Sequence, residues 1–465
     1  MSVDHSAEIA AQKAALIRGQ QMLAVVRPCR VGDGIIALTE EQQAHYKILA
    51  RQHKSLRQVF IPASGAGSRM FSFLYDYLAF NDPESTQKAE RFLSRLTEFA
   101  LFRLLPIELQ EAFHKGTLSL PALIDFILKP DGLNFGLAPK GLIPFHIHEP
   151  FILNPFQEHL LQAQALEIGD LQFHFTIQSE FQSEFQNAIN AIGSLSAQAY
   201  NVTYSTQDPA SDAYVFDTDN QVCVGPDAQP LRRPAGHGAL LPNLGQLSAP
   251  YVLVRNIDNI QHYSQLRVAN ETWEWLVGLQ IEVRQSLLAF HETNDCAAFL
   301  EWNERYGLID NSALTDAAQN WQNLIQRPLR ICGMVRNDGQ PGGGPFFVEK
   351  NGKISKQIVE KAQLVNHPEA SALFLQSSHF NPVFMVLSPC DLHGNAHKLQ
   401  DFKDPDTYFV VDKTQQGKHI KYIEQPGLWN GAMANWNTLF VEIPSSAFSP
   451  VKTALDLLEK AHLPN

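Results

Sequence analysis

The sequence predicts an α/β fold in which a mixed sheet is flanked by helices, with a helical N-terminus and helical insertions. Three observations lead to this prediction. A short apolar strand at 58–61 runs into a glycine-rich loop that opens a helix. Residues 82–128 have a helical pattern. From about residue 141 onward strand and helix signals alternate, which is typical of a sheet covered by helices.

Local patterns justify the individual elements in chain order. Residues 6–27 are rich in Ala, Gln and Leu and predict a first helix. Thr39 and Gln42 have capping-box spacing, and Asp82 with Pro83 forms a cap followed by a first-turn proline, so both predict helix starts. Further helices are predicted from Ser179 and across 271–327, further strands at 172–177, 201–205, 251–255 and 331–335, and a hairpin at Asn351-Gly352.

Composition excludes several classes of protein. The chain has 465 residues, of which 45% are hydrophobic and 18% charged, so a sizeable core is expected and disorder is not. The net charge of −12 argues against binding to nucleic acid or to an anionic membrane. Five scattered cysteines without a Cys-x-x-Cys pair argue against a disulfide framework. The absence of a signal-peptide pattern or a long apolar run favours a cytoplasmic protein, with its oligomeric state left open.

The glycine-rich loop is the first feature with a chemical use. Glycines allow close approach of a ligand to the backbone, and amides at a helix start attract anions. The pattern matches neither the P-loop nor the dinucleotide fingerprint, so a plain tight turn is the alternative. The loop consists of Ala63, Ser64, Gly65, Ala66 and Gly67, and the phosphate-compatible Arg69 follows it.

Pro139-Lys140-Gly141 follows the helical stretch, and with this order the chain resembles the sugar nucleotidyltransferases. In that family a glycine-rich loop is followed by Pro-Lys. Segments resembling the UDP-sugar pyrophosphorylase branch come in matching order at 204–207, 233–240, 251–259, 342–345, 358–363, 379–382 and 443–453. The whole chain further resembles a bacterial domain-of-unknown-function family in the same superfamily. Ser64 departs from the glycine common at its position, and a long helical segment separates Arg69 from Lys140.

The resemblance implies a nucleotide-diphospho-sugar transferase fold, which is GT-A-like and Rossmann-like, and it implies roles for single residues. Those expected at the phosphates, as catalytic groups, are Arg69, Lys140, His237 and Lys452. Besides the loop residues 63–67, the expected nucleotide-binding residues are Gln207 and Gly236. Those expected at the sugar are Asn256, Gly344, Glu360 and Asn381, and Asp258 is expected to bind Mg²⁺.

The implied reaction is transfer of a nucleotide from a nucleoside triphosphate, with UTP as one candidate, to a sugar 1-phosphate with release of pyrophosphate. The resemblance also implies N-terminal helices at 1–55, a catalytic domain at 56–400 with an insertion at 71–130, and a C-terminal segment at 401–465 that completes the site. Two alternatives stay open: a glycosyltransferase that uses a nucleotide sugar, and a non-catalytic protein that binds one. Ala239, where the resemblance expects an acidic residue, keeps the second alternative open.

Two other patterns are given structural interpretations. His146 with His148 and His393 with His397 have metal-compatible spacing, but neither pair has a companion Cys pair, so zinc is not predicted at either. Trp429 and the tryptophan seven residues later would share one helical face, which is more typical of core packing than of a stacking platform.

Overall fold

The computed structural model describes residues 5–464 except 81, 226, 315–316, 338, 340–341, 365–368 and 416–417. It is a mixed α/β structure, as predicted. Its strands are β1 (Ala24–Pro28), β2 (Arg30–Val31), β3 (Gly34–Ile36), β4 (Arg57–Pro62), β5 (His146–His148), β6 (Phe151–Leu153), β7 (Leu171–Thr176), β8 (Asn201–Ser205), β9 (Ala213–Tyr214), β10 (Arg232–Arg233), β11 (Tyr251–Val254), β12 (Leu329–Arg336), β13 (Gly344–Lys350), β14 (Lys353–Val359), β15 (His379–Ser388), β16 (Phe409–Gln415), β17 (Lys418–Glu424) and β18 (Asn437–Glu442). Its α-helices are α1 (Ser6–Arg18), α2 (Glu40–Gln52), α3 (Ser72–Phe80), α4 (Pro83–Ser94), α5 (Ile107–His114), α6 (Leu120–Leu128), α7 (Pro155–Ala163), α8 (Gln182–Ser196), α9 (Leu241–Leu244), α10 (Arg267–Thr293), α11 (Cys296–Tyr306), α12 (Ala317–Ile325) and α13 (Ala370–Gln376).

The chain forms two compact units, and each is assembled from three separate stretches. Unit 1 consists of Met1–Leu49, Gln207–Leu253 and Leu276–Ile443. Unit 2 consists of Ala50–Thr206, Val254–Trp275 and Pro444–Asn465. These units do not follow the domain boundaries expected from the sequence, which stay a prediction. In the described parts of both units, no helix combines the length and apolar character needed to cross a membrane.

Unit 1 contains a mixed sheet in the strand order β2-β3-β18-β12-β15-β11. Strand β18 runs parallel to both β3 and β12, whereas β15 is antiparallel to β12. Every residue of β15 is buried, as are all but the last residue of β12. Such continuously buried strands are typical of a sheet covered on both faces. A second, antiparallel sheet has the order β1-β13-β14.

Unit 2 contains three parallel strands in the order β4-β7-β8, with Phe60 opposite His174 and Phe175 opposite Tyr204. Strands β5 and β6 form a separate antiparallel hairpin that leads into α7. Because the carboxyl ends of parallel strands meet at one edge, the loops that follow β4 and β7 leave this sheet from the same edge.

The starts of α2 and α4 predicted from capping patterns are confirmed, whereas the helix predicted from Ser179 begins at Gln182, after a 3-10 turn. The Thr39 hydroxyl accepts from the amide of Gln42 at 3.2 Å, and the side chain of Gln42 accepts in return from the amide of Thr39 at 2.9 Å. At the start of α4, Asp82 Oδ1 accepts from the amides of Glu84 and Ser85, both at 3.0 Å. The hairpin at Asn351-Gly352 is also confirmed, with positive φ at both residues.

The first helix is shorter than the predicted 6–27. It ends at Arg18 because Gly19 takes a φ of 77° and donates its amide to the carbonyl of Ala15. The chain then enters β1, which pairs with β13 with Ala24 opposite Glu349. A strand whose partner lies this far along the chain has little local signature in the sequence.

Candidate functional site

The glycine-rich loop lies in unit 2, at the carboxyl end of β4. It opens a 3-10 turn at Gly67–Phe71, which continues into α3, rather than an α-helix directly. The amide of Gly67 donates to the carbonyl of Ala138 at 2.8 Å, and the amide of Lys140 donates to the carbonyl of Gly65 at 3.0 Å. These backbone bonds hold the loop against the segment that carries Lys140, although a long helical stretch separates the two in sequence.

The two glycines of this loop meet different surroundings. A Cβ on Gly67 would lie 2.2 Å from Cδ1 of the buried Ile143 and 3.0 Å from the carbonyl oxygen of Ala138, so the glycine allows close packing. A Cβ on Gly65 would have nothing within 4 Å. Gly65 and Ala66 are exposed, Ser64 is half-buried and Ala63 is buried. Only the middle of the predicted loop is therefore accessible to a ligand.

Lys140, Asp258 and Lys452 come together in unit 2. The ammonium groups of Lys140 and Lys452 each lie 3.0 Å from Oδ2 of Asp258. The side chains of Lys140 and Asp258 are 14% and 12% exposed, whereas that of Lys452 is 57% exposed. We call these three residues the lysine–aspartate cluster. It combines a buried carboxylate with two cations, one of which reaches solvent.

Backbone pairing on both sides of Asp258 fixes the cluster. Asp258 follows β11 in a turn closed by the amide of Asn259, which donates to the carbonyl of Asn256 at 3.1 Å. The carbonyl of Asp258 accepts from the amide of Val451 at 3.0 Å, which places Lys452 beside the carboxylate. Lys140 Nζ also donates to the carbonyl of Val451. Asn256, predicted at the sugar, is half-buried in this same turn.

Burial and charge act against each other in the cluster. Burial lowers the pKa of Lys140 below its ordinary value, and the carboxylate of Asp258 offsets only part of this effect. Burial alone would raise the pKa of Asp258, but the charges of Lys140 and Lys452 outweigh it and lower that pKa. The exposed Arg69 is close enough to act on Lys140 as a like charge. The cluster therefore places two cations at one carboxylate, and Arg69 adds a third positive charge near Lys140.

The helical segment of unit 2 supports Lys452. A hydrophobic core joins the helices α3, α4 and α6 to the C-terminal residues on either side of this lysine. Its fully buried members include Phe92, Ile124, Val451 and Ala454. After Lys452, Thr453 and Asp456 form a capping box on a 3-10 turn. The predicted insertion thus has a structural role, because its hydrophobic residues pack against the segment that carries Lys452.

In unit 1, His237 lies in a polar cluster of its own. It begins a 3-10 turn after Gly236, whose φ is 75°, and its Nδ1 accepts from the amide of Leu428 at 3.0 Å. Its Nε2 lies 3.5 Å from Oε1 of Glu360, and its ring stacks on Trp429 with the centroids 5.1 Å apart. Two predicted residues, His237 and Glu360, are therefore neighbours.

Gly344 and Asn381 lie close to Glu360 in the same unit. Gly344 pairs with the strand residue that precedes Glu360. The amide of Asn381 donates to the carbonyl of Gly343 at 2.8 Å, and a Cβ on Gly343 would contact Glu360 Cγ at 3.4 Å. The side-chain oxygen of Asn381, however, accepts from the amide of Val383, so it already stabilises a local turn. The three predicted sugar residues of unit 1 thus gather, with Asn381 in a structural role.

The side chain of Gln207 binds within its own segment. Its side-chain amide donates to Oδ1 of Asp212 at 3.2 Å, five residues along the chain. Burial raises the pKa of Asp212. The role of Gln207 in reading a base stays a prediction.

The family of the chain follows from its sequence as a whole. A family model described as a domain of unknown function (DUF4301) matches residues 4–463. The chain belongs to this family. No curated protein matches it significantly.

Solved structures with a similar fold were also found for this DUF4301 chain. A variant of UDP-glucose pyrophosphorylase from Leishmania major is 13% identical, with 98% of this chain and 75% of that chain covered and a TM-score of 0.47. Uridine diphosphate N-acetylglucosamine pyrophosphorylase from Trypanosoma brucei is 12% identical, with 98% and 73% covered and a TM-score of 0.49. Another Leishmania major variant, in complex with UDP-glucose, is 14% identical, with 96% and 73% covered and a TM-score of 0.45.

The sequence interpretation of Trp429 is wrong in its premise. No helix puts Trp429 and Trp436 on one face: the structure has only a 3-10 turn at Gly431–Met433 between them. Trp436 is buried, but Trp429 is half-buried and stacks on His237. An aromatic side chain next to a predicted site histidine was therefore misassigned to the core.

The sequence analysis also missed polar residues around His237. Glu424 lies beside Gly236, where an added Cβ would come within 2.8 Å of its Oε2. Burial raises the pKa of Glu424, and the neighbouring Glu360 raises it further against the charge of His237. The side chain of Gln363 accepts from Asn430 at 3.1 Å and from the amide of Glu360 at 2.9 Å. Gln363 belongs to the segment 358–363, which carried a signal in the sequence, whereas Glu424 lies outside all the segments that did.

A cavity of about 940 Å³ in unit 1 does not coincide with any of these groups. Its walls carry the side chains of Lys350, Lys356 and Asp310. Burial lowers the pKa of Lys356 to about 8. Of the described residues that line the cavity, none belongs to the predicted site.

Whether Mg²⁺ fits at Asp258 depends on which other groups supply oxygen ligands to the ion. Both lysine contacts use Oδ2 of Asp258, so the carboxylate is held by two ammonium groups. Mg²⁺ is commonly bound through one or two carboxylates together with substrate phosphates and water. One carboxylate beside two phosphate-compatible lysines suits that arrangement and does not suit an all-protein magnesium site. The role of Asp258 as a metal ligand stays a prediction.

Proposed function

We propose that this DUF4301 chain is a nucleotidyltransferase that transfers a nucleoside monophosphate from a nucleoside triphosphate to a sugar 1-phosphate. A phosphate oxygen of the sugar phosphate would form a bond to the α-phosphorus. The bond from that phosphorus to its bridging oxygen would break, and pyrophosphate would leave with the electron pair. The observation that carries the proposal is the lysine–aspartate cluster. Its three members come from distant segments and match positions that the resemblance assigns to phosphate and metal binding.

In this proposal the chain mainly positions anions and neutralises their charge. Lys452 reaches solvent and would meet the incoming phosphates first. Lys140 is buried in the cluster and would follow by exchanging part of its contact with Asp258 for a phosphate oxygen. Exposed Arg69 and the accessible part of the loop at Gly65 would contact the nucleotide from the sheet edge. Bound Mg²⁺ would act as a Lewis acid on the phosphates, with Asp258 as its protein ligand.

The polar cluster of unit 1 offers hydrogen-bonding groups for a sugar. Glu360 is one-third exposed at its side chain and lies beside His237. Carboxylates and aromatic faces such as Trp429 are groups that bind sugar hydroxyls and rings. The test of this assignment is separate from that of the lysine–aspartate cluster, because it concerns specificity for the sugar phosphate and not binding of the nucleotide.

A thermal-shift panel of UTP, ATP, GTP, CTP and dTTP with Mg²⁺ tests nucleotide binding first. A ligand at 100 times its Kd adds roughly 2.7 kcal/mol of stability. One base should stabilise the wild type selectively, Lys140→Ala should abolish the shift, and Lys88→Ala should retain it. Lys88 is a matched control because it is an exposed lysine of the same unit in a helical ion pair with Glu84.

Pyrophosphate release with a panel of sugar 1-phosphates then tests turnover. Release that requires Asp258 and Lys140 would support a nucleotidyltransferase. Binding of the triphosphate without release would leave the non-catalytic alternative, and release of a nucleoside diphosphate from a nucleotide sugar would favour the glycosyltransferase. If no nucleotide binds at all, the proposal is wrong.

A further inference from the structure

A second group of ionisable side chains lies in unit 2. Among the described residues, no hydrogen bond joins this group to the glycine-rich loop or to the lysine–aspartate cluster. His146 Nδ1 and His148 Nε2 lie 2.7 Å and 2.6 Å from the same atom, Oε1 of Glu158. Such an arrangement brings two imidazole nitrogens and one carboxylate oxygen to a single point. In the described part of the chain it is the one group of at least three His, Cys, Asp or Glu side chains whose ligand atoms lie within 4.8 Å of one another.

The local structure explains why these three side chains converge. His146 and His148 are two residues apart on β5, so both side chains leave the strand on the same face. After β6 the chain enters α7, where the side chain of Asn154 accepts from the amide of Gln157 in a capping box. The cap fixes the first turn of α7, which carries Glu158. The sequence analysis considered the His-x-His pair alone and missed Glu158, because no local spacing links it to the histidines.

The charge of Glu158 needs compensation because the side chain is buried. Its side chain is fully buried, and so is that of His146. A buried carboxylate is costly unless a cation or several hydrogen bonds compensate it. Among the ion pairs of the described residues, Glu158 has only His146 and His148 as partners, and neither Lys nor Arg. The two histidines and a hydrogen bond from Gln162 stabilise the carboxylate, and a bound divalent cation would add positive charge directly beside it.

The surrounding hydrogen bonds have the form of a second shell around a metal. Oε2, the other carboxylate oxygen of Glu158, accepts from Gln162 Nε2 at 2.8 Å. His146 Nε2, which is the ring nitrogen away from the carboxylate, lies 3.0 Å from Nδ1 of His462. The ring of His148 stacks on His262 with the centroids 4.5 Å apart. Partners of this kind fix the tautomer and orientation of metal-binding side chains.

From this geometry we propose that His146, His148 and Glu158 form a binding site for a divalent transition-metal ion of the Zn²⁺ class. Two imidazoles and one carboxylate suit such ions better than Mg²⁺ or Ca²⁺, which prefer oxygen ligands. His148 is 20% exposed at its side chain, so the ion enters from its side and a water completes the coordination there. The site is independent of the proposed nucleotidyl transfer.

Binding requires a small, balanced rearrangement. Each imidazole now places a nitrogen at hydrogen-bonding distance from Oε1, and that nitrogen must give up its proton to bind the ion. For His146 the proton then lies on Nε2, opposite His462. With metal–ligand bonds near 2.0–2.1 Å and tetrahedral angles, ligand atoms lie about 3.3 Å apart, so the rings need to withdraw by roughly 0.6 Å. The ring of His148 is partly exposed, so most of this movement is expected there and not at the fully buried His146.

Metal content and zinc titration of the full chain, without a polyhistidine tag, test the proposal. After treatment with a chelator and addition of ZnCl₂, the wild type should retain about one zinc per chain after dialysis and gain thermal stability. His148→Ala should lose the bound zinc and the zinc-dependent stabilisation. His393→Ala is the matched control, because it removes a histidine from the other His pair and should leave both unchanged.

Glu158→Gln separates the metal site from a purely structural network. It keeps the shape and one oxygen acceptor but removes the charge, so it should also lose zinc. Circular dichroism of both variants in the absence of metal checks that they fold. Zinc retained equally by the wild type, His148→Ala and His393→Ala would overturn the proposal, as would a wild type that takes up no zinc. In either of these cases the cluster is a hydrogen-bonded support for Glu158.

Discussion

At the scale of single residues, the proposed phosphate contact of Lys140 predicts that ligand binding depends on pH. Burial lowers the pKa of Lys140 below the ordinary lysine value of 10.5, so it loses its proton at a lower pH than an ordinary lysine. A phosphate contact that needs the ammonium group is present below that pKa and is lost as pH rises through it. We therefore expect the affinity for the triphosphate to fall about 10- to 100-fold at alkaline pH below 10.5. A fall of this size corresponds to the loss of one charge-assisted hydrogen bond.

Isothermal titration of the stabilising nucleotide from pH 7 to pH 10 measures this fall. Lys140→Arg is the informative variant, because a guanidinium does not titrate in this range. The affinity of the variant should depend less on pH than that of the wild type, whatever its value at pH 7. Titration of the ligand itself affects both proteins equally and cancels in this comparison. Equal slopes for the two proteins would mean that Lys140 does not contact phosphate.

The same residue scale shows what the sequence could predict of the site. Lys140, Asp258 and Lys452 are predicted from ordered motifs, and the structure brings both lysines within hydrogen-bonding distance of Asp258. Glu158 and Glu424 were not identified. Glu158 contacts two histidines and Glu424 lies beside Gly236 only because the chain folds, so no spacing in the sequence marks either residue.

At the scale of elements, the glycine-rich loop makes two opposite predictions. Gly67→Ala should destabilise the protein by roughly 1–3 kcal/mol, because its Cβ overpacks against buried Ile143 and the carbonyl of Ala138. Gly65→Ala should leave the melting temperature unchanged, because the new Cβ meets open space. If the loop contacts the nucleotide, the second variant weakens binding. Thermal melts with and without nucleotide measure both effects.

Two results would contradict the predictions for the two glycines. Equal melting temperatures for Gly67→Ala and the wild type would show that the loop relaxes freely and does not hold Lys140 in place. Unchanged nucleotide affinity in Gly65→Ala would show that the exposed part of the loop does not bind the nucleotide. This result would not bear on the lysine–aspartate cluster, which is tested separately.

Elements differ in how far local sequence determines them. The starts of α2 and α4 depend on caps within three residues, such as Asp82, and were predicted correctly. Strand β1 overlaps the helix predicted at 6–27, and β2 and β3 were not predicted, since the stability of these short strands comes from partners elsewhere in the chain. Ala24, for example, pairs opposite Glu349. Tertiary pairing of this kind overrides local propensity.

At the scale of the whole molecule, the chain passes between two units several times. Unit 1 and unit 2 each consist of three stretches, and the last stretch of unit 2 begins at Pro444. A linear division of the chain cannot describe such units. Composition and periodicity predicted the α/β class correctly, but they contain no information about which distant stretches share a core.

This organisation predicts that residues 56–400, the domain expected from the sequence, do not fold as an independent protein. The fragment lacks β18, which in unit 1 pairs with both β3 and β12. It also lacks Val451 and Ala454, fully buried members of the core of unit 2. Loss of a single buried large apolar side chain costs about 2–5 kcal/mol, and net stabilities are only about 5–15 kcal/mol.

Thermal unfolding followed by circular dichroism compares this fragment with the full chain. The full chain should unfold cooperatively, whereas the fragment should lack a cooperative transition or be insoluble. A fragment with a sharp transition would instead support the linear boundaries, and would mean that the C-terminal stretch adds Lys452 to a core that is already stable. The expected result ties stability to function, because the segment that completes the core of unit 2 is also the one that carries the exposed lysine of the cluster.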